Sequence, residues 1–433
     1  MGTILDYIKE YGDYRFGEKP LNEVDSLILC QFLYLKLDGA VGSLKADGTA
    51  VSIRFLEQRQ KKERLFADAR FLEDNQELFR SMRDSIRFGS IRLNYYENVV
   101  DREAESQFSA AVIFLDDGTA YVAFRGTDET LIGWKEDFNL AFSHPVKGQL
   151  RSVEYLNALG EKLEHFYVGG HSKGGNFAFY ASMNCKEEVR KKILKIYNHD
   201  GPGFRPEVCR EEDYEKIRDK AVKIIPHSSL VGLLLEYHAG EYQIVESKTL
   251  GLLQHNPYTW LVKEDHFLLV DEVYKGRRFM DETLNQWILS LKEEEMRVFV
   301  DTLYELVSVT EAETLLDFSE DWWKHAAGIL AAVRELDEET RLGIRKTAAS
   351  LFRLTRERAA GQWQEYKEMK GWKQLLPYLS LHWHKDHWHK YDLHKKNRHK
   401  DILNQDDPYE RNRYKDDLNQ NDPCKDKYQK ENP

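Results

Sequence analysis

The sequence predicts an α/β fold, a mostly parallel sheet wrapped by helices, on three observations. Short apolar runs alternate with helical stretches of about 15 residues between residues 91 and 246, the pattern of strand–helix units that close into a mainly parallel sheet. One of those runs, Phe166-Tyr-Val168, ends in a glycine-rich turn around Ser172 that opens into a helical stretch. Strand signals stop near Arg277, and an amphipathic helical pattern follows. The expected organisation is an α/β domain over residues 1–280, a helical subdomain over 281–380 and a disordered tail over 381–433.

Taken in order, Leu21 to about Phe88 is helical, with Val24, Leu27, Ile28, Phe32 and Leu33 at three- and four-residue spacing. Ile91 to Val99 and Ser109 to Leu115 are expected as strands, and Asp116-Asp-Gly-Thr119 turns the second of these into Ala120 to Phe124. A helix from about Gly148 to Leu163 precedes the run at Phe166, and another from Asn176 to Ile193 follows it. Leu194 to Asn198, Ala221 to Ile225 and Tyr242 to Glu246 supply the remaining strands. Helical periodicity returns in Glu293 to Leu303 and runs to Phe352, read as a cap or scaffold without chemistry of its own.

From about His382 the chain is lysine, aspartate, asparagine and histidine with few aliphatics, too little apolar surface to offset the entropy of ordering. Asp401-Ile-Leu-Asn-Gln-Asp-Asp-Pro408 recurs as Asp416-Asp-Leu-Asn-Gln-Asn-Asp-Pro423, too few copies for a solenoid. His382, His384, His387 and His389 offer at most a solvated affinity for zinc or nickel. Trp383 and Trp388 among Lys and His suit a peripheral membrane contact.

In the chain of 433 residues, 41% are hydrophobic and 32% charged, with a net charge of -11. That balance opposes broad nucleic-acid binding, which needs clustered cations to release counterions. Cys30, Cys185, Cys209 and Cys424 are widely spaced and form no CxxC pair, so free thiols in a reducing compartment are expected. The first residues lack a signal-peptide core, and no apolar run approaches the roughly 18 residues of a membrane span. The expectation is a cytoplasmic protein.

The sharpest signal is Tyr167-Val-Gly-Gly-His-Ser-Lys-Gly-Gly-Asn176, a GxSxG string between a strand and a helix. Such a nucleophile elbow marks the α/β-hydrolase fold, because a serine on a tight strand-to-helix turn needs small flanking residues, here Gly170 and Gly174. The helix N-terminus then favours negative charge developing beside Ser172. The competing reading, a glycine turn that binds phosphate, lacks P-loop spacing, since Lys173 follows the serine.

Upstream, Ala123-Phe-Arg-Gly-Thr127 leaves a strand and is followed by Trp134 and Asp137. Together with GHSxGG this resembles the fungal-type, class 3 triacylglycerol lipases. A bacterial lipase-like family of unknown function, called Mbeg-like, resembles the chain more closely, in GHSKGGN, DGPGF and QHNP, over roughly residues 1–300. The resemblance implies that Thr127 offers its backbone N–H, and its hydroxyl, to an oxyanion, with the Lys173 N–H as the other donor.

A serine needs a base and a carboxylate that fixes the base's tautomer, in this fold in the order Ser, acid, His. Asp200 begins Asp-Gly-Pro-Gly-Phe at the carboxyl end of a strand, where sites in open α/β sheets gather. The Mbeg-like resemblance points to it as well, although an Asp that caps its own turn would look the same. The class 3 pattern has its acid after the next strand, where this chain reads Ile225-Pro-His-Ser-Ser229. Of His227, His238, His255 and His266, His255 is chosen for its loop after the last strand and for QHNP, with His227 next. His171 is expected to shape the elbow.

The functional expectation is a serine hydrolase cleaving an ester or other acyl substrate, small or lipid-like, with no cofactor and no metal. A thioesterase, peptidase or acyltransferase would use the same triad. A pseudoenzyme that binds partners through its helices is the reading from another class.

Overall fold

The computed structural model describes residues 1–271, except 47, 68–70, 102, 104, 129–130, 141–144, 206 and 236–241, with scattered helical positions between 283 and 354. Residues 1–358 form one compact unit, and a second, 359–433, lies wholly outside the described residues. The tail's repeat, its histidines and Trp383 and Trp388 therefore fall outside them too.

Eight strands form one sheet in chain order: β1 (Val51–Ser52), β2 (Arg92–Asp101), β3 (Ser106–Phe114), β4 (Ala120–Phe124), β5 (Phe166–His171), β6 (Ile193–His199), β7 (Ala221–Pro226) and β8 (Gln243–Val245). The pairs from β1 to β4 are antiparallel and those from β4 to β8 parallel. An antiparallel start, a parallel remainder and a strand–turn–helix after β5 make this the α/β-hydrolase fold that the sequence predicts.

The central strands are buried on both faces, so they read as continuous apolar runs rather than alternating ones. Tyr121 and Ala123 of β4 face the N-terminal layer, whereas Val122 and Phe124 face the opposite one. The N-terminal layer holds α1 (Ile4–Tyr11), α2 (Glu23–Phe32), the short α3 (Leu56–Arg59) and α4 (Lys62–Leu65), α5 (Leu72–Asp84) and α6 (Ile86–Gly89). Asn22 starts α2 by accepting hydrogen bonds from the Val24 and Asp25 N–H groups at 3.0 and 2.9 Å, as an N-cap should. Asp25 also pairs with buried Arg87 at 2.5 Å and accepts from Tyr7 at 3.0 Å, joining α1, α2 and α6.

The other layer holds α7 (Leu131–Asn139), α8 (Lys147–Leu159), α9 (Lys173–Asn184), α10 (Glu187–Lys192) and α11 (Glu211–Glu215). The single helix expected from Asn176 to Ile193 is thus two, and it starts earlier. The break falls at Cys185, in extended backbone, where Asn157 Oδ1 accepts the Lys186 N–H at 2.8 Å. A side chain from α8 thereby replaces a helical hydrogen bond.

After β8 come a 3₁₀ turn over Gly251–His255 and a small ribbon, β9 (Val262–Lys263) with β10 (His266–Phe267). Gly2 exchanges backbone hydrogen bonds with Val262 at 3.1 and 2.9 Å, which joins the first residues to the segment that follows His255. The positions described beyond 281 include Trp287, Ile288, Leu291 and Val300, which cluster with Leu235 after β7. Asn285 Oδ1 accepts the Leu235 N–H at 2.8 Å, so helical residues fasten the loop that follows β7. Among the described residues, no helix is long and apolar enough to cross a membrane.

Candidate active site

Ser172 lies between β5 and α9 with φ 60° and ψ -133°, a backbone that side-chain-bearing residues rarely adopt. The turn tolerates it because neighbouring strands and helices close tightly around it. A Cβ on Gly170 would collide with the Gly174 backbone, and one on Gly174 with the Phe124 carbonyl. The Ser172 N–H donates to the His199 carbonyl at 2.9 Å, so β6 holds the turn from the other side.

Asp200 follows β6, also with positive φ, 51°, and its N–H donates to the Ile224 carbonyl of β7 at 2.8 Å. Its carboxylate is buried. Oδ2 lies 2.7 Å from His255 Nδ1, while Oδ1 accepts from the Ser229 hydroxyl and from the Gly232 N–H at 3.1 Å. His255 Nε2 lies 2.9 Å from Ser172 Oγ. With Nδ1–H given to the carboxylate, Nε2 carries the lone pair that faces the serine hydroxyl. Ser172, His255 and Asp200, chosen from sequence, therefore stand in one chain of hydrogen bonds.

The loop that carries His255 is fastened from two sides. Trp260 Nε1 donates to the Gln254 carbonyl at 2.7 Å, and His171 Nε2 lies 3.0 Å from the His255 carbonyl. A carbonyl can only accept, so His171 carries its proton on Nε2, and its Nδ1 accepts from Tyr34 at 3.3 Å. The rings of His171 and His255 lie 4.7 Å apart. His171, the residue before Ser172, thus supports the His255 loop as well as the turn.

Thr127 follows β4, and its hydroxyl donates to Asp137 Oδ2 at 2.6 Å. That hydroxyl proton is engaged, which leaves the Thr127 N–H for a ligand. Burial pushes the Asp137 carboxyl up to about 6, against the lowering effect of Lys173. Lys173 opens α9, so its N–H is among those a helix start leaves without an intrahelical acceptor. Its side chain turns inward to Glu136 at 2.8 Å, both groups buried.

The sequence reading missed Glu136 and Ser229 and gave Asp137 no role. A signal existed for the first: a lysine inside a buried glycine turn requires a counter-charge, and the nearby apolar helix contains one carboxylate pair. Ser229 carried none, because a lone serine in a turn is unremarkable. The next-ranked histidine, His227, receives a hydrogen bond from Gln254 Nε2 and lies 3.3 Å from Glu246 rather than in the serine chain. Among the described residues, no cluster of His, Cys, Asp and Glu could hold a metal ion.

A family model described as Mbeg1-like matches residues 82–305, just over half of the chain. The chain belongs to the Mbeg1-like family. Every candidate site residue of this Mbeg1-like chain falls inside the matched span, and the helices before residue 82 lie outside it. Among solved structures, a crystal structure of M37 lipase is similar at 12% identity and a TM-score of 0.31, covering 48% of this chain and 67% of that one. A likeness that loose carries no argument about the activity of the Mbeg1-like chain. None of the curated proteins compared with it matches.

Proposed function

We propose that this chain is a serine hydrolase that transfers the acyl group of an ester through Ser172. One observation supports the reading above the rest: Ser172 Oγ, His255 and the buried Asp200 carboxylate are joined by hydrogen bonds of 2.9 and 2.7 Å. At that reach His255 Nε2 takes the hydroxyl proton as Oγ attacks the carbonyl carbon, then returns it to the leaving alcohol. Water repeats the steps in reverse on the acyl-enzyme. Asp200 holds the imidazole in its tautomer and stabilises the imidazolium, and the Thr127 and Lys173 N–H groups receive the oxyanion.

A lipid-like ester is the first substrate to test, by family likeness rather than by any feature of the site. The place after β7 without a carboxylate, which motivated the pseudoenzyme reading, holds Ser229, whose hydroxyl serves Asp200 from there. The cytoplasm is the proposed location, in keeping with the buried free thiols of Cys30, Cys185 and Cys209. No cofactor is proposed.

A fluorophosphonate probe tests the reading, because only an activated serine reacts with it. Labelling of the full chain that disappears in Ser172→Ala is the expected result. Labelling that persists in that variant, or none in the parent, would sink the proposal. A panel of short- and long-chain esters, thioesters and amides then separates esterase from thioesterase or peptidase.

A further inference from the structure

The most unusual feature beside the candidate site is a buried ion pair that the proposed acyl transfer does not itself use. Lys173 Nζ and Glu136 Oε2 meet at 2.8 Å with side-chain exposures of 0% and 1%. Taking two such charges out of water costs several kcal/mol per ion unless the geometry is excellent and every remaining lone pair is satisfied. Here it is. Glu136 Oε1 accepts from the Ser106 hydroxyl at 2.8 Å and from the Gly148 N–H at 3.0 Å, and Oε2 accepts from the Gln107 N–H at 3.0 Å. A well-packed apolar pair would often serve stability as well or better, so the arrangement invites a role beyond holding the fold.

We infer that Glu136 is the positioning residue of the oxyanion hole, fixing both of its backbone donors from one carboxylate. It reaches the first directly. By anchoring Lys173 Nζ it fixes the residue that opens α9 and whose N–H is the proposed donor after Ser172. It reaches the second through one residue: the Gln107 N–H is bound to Glu136, and the Gln107 side-chain oxygen accepts the Asp128 N–H at 3.3 Å, next to Thr127. The adjacent residue on α7, Asp137, holds the Thr127 hydroxyl at 2.6 Å. The start of α9 and the loop after β4 thus hang on two consecutive carboxylates of α7. Donors that stabilise an oxyanion must be in place before charge develops, and misplacement by a fraction of an ångström removes much of their effect.

The inference rests on the hydrolase reading and is tested beside it. In the full chain, Glu136→Gln keeps the size but removes the charge that holds Lys173 and replaces one of the two acceptor oxygens by a donor. The readouts are kcat and KM for a p-nitrophenyl ester, together with the inhibition constant of an alkylboronic acid, which becomes tetrahedral and anionic on the serine. Expected are a fall in kcat of about 10- to 100-fold, a KM within about two-fold, and boronate binding weakened in parallel with kcat. Ser106→Ala, which removes a donor to the same carboxylate but leaves the ion pair, should lower Tm with boronate affinity kept within about two-fold. Unchanged kcat in a folded Glu136→Gln variant, or a fall in kcat without weaker boronate binding, overturns the inference while leaving Ser172 as nucleophile. If the glutamine variant does not fold, Glu136→Asp, which keeps the charge and withdraws it by one methylene, is read by the same criteria. A parent chain that neither hydrolyses ester nor takes the fluorophosphonate removes both readings together.

Discussion

Among the described residues two serine–histidine hydrogen bonds occur, and their lengths are nearly the same. His255 Nε2 stands 2.9 Å from Ser172 Oγ, and His199 Nε2 stands 2.8 Å from Ser26 Oγ beneath the sheet. What differs is the other ring nitrogen. His255 Nδ1 faces Asp200 at 2.7 Å, whereas His199 Nδ1 is buried without a hydrogen-bond partner. Burial alone lowers His199 to about 3, so it stays neutral and cannot take a proton near neutral pH. A short contact between hydroxyl and imidazole does not by itself activate a serine; the carboxylate behind the ring is what sets the two pairs apart.

The largest expected effect separates the two pairs outright. Ser172→Ala should reduce ester turnover by about 10⁴-fold or more and remove probe labelling, while Ser26→Ala keeps the labelling; equal loss in both variants would mean that the contrast is wrong. Asp200→Asn makes His255 resemble His199 by withdrawing the charge behind the ring. A kcat loss of about 10³- to 10⁴-fold is expected, and a loss below about tenfold would show that the ring needs no carboxylate. Ser229→Ala removes one of the groups holding Asp200 Oδ1, with a fall in kcat of about tenfold, the worth of a hydrogen bond to a charged group; unchanged kinetics would make Ser229 a bystander.

Asp137 is the acidic counterpart of His199, enclosed and with Oδ1 unpartnered. Its carboxyl is raised to about 6, so the folded chain holds that proton more tightly than the unfolded chain does. The stabilisation is complete below about pH 4 and is lost as pH rises through about 6. Asp137→Asn, whose side-chain oxygen still accepts from Thr127, should therefore raise stability at pH 7–8 by about 1–3 kcal/mol, shrinking towards pH 4. Denaturant melts at both pH values measure it, and a gain independent of pH would refute the assignment. The smallest effect belongs to Ser26→Ala, which strips His199 Nε2 of its partner and should cost about 1–2 kcal/mol of stability with kcat unaltered.

Much of this was legible because local chemistry and position coincide. The apolar run from Ala120 to Phe124 became β4 residue for residue, and that at Phe166 to Val168 became the first half of β5, which continues through the two glycines to His171. Ser172, Asp200 and His255 were readable because each ends a strand or follows one, where the topology of the sheet leaves side chains at a common edge. Glu136 was not. Its role depends on α7 packing beside β3 and α9, elements separated from it by about 30 residues of sequence on either side, and helical periodicity alone cannot register a contact of that kind. The break at Cys185 escaped for a similar reason: the group that takes over the Lys186 N–H comes from α8.

The pairing of Gly2 with Val262 carries a consequence for how the molecule comes into being. Synthesis delivers Ser172 and Asp200 well before His255, and Gly2, just ahead of α1, gains its backbone partner only after residue 262 has appeared. A nascent chain exposed through Pro226 would hold a serine and an aspartate with no proton acceptor between them. Translation itself would then withhold the proposed activity until the ribbon of β9 and β10 closes.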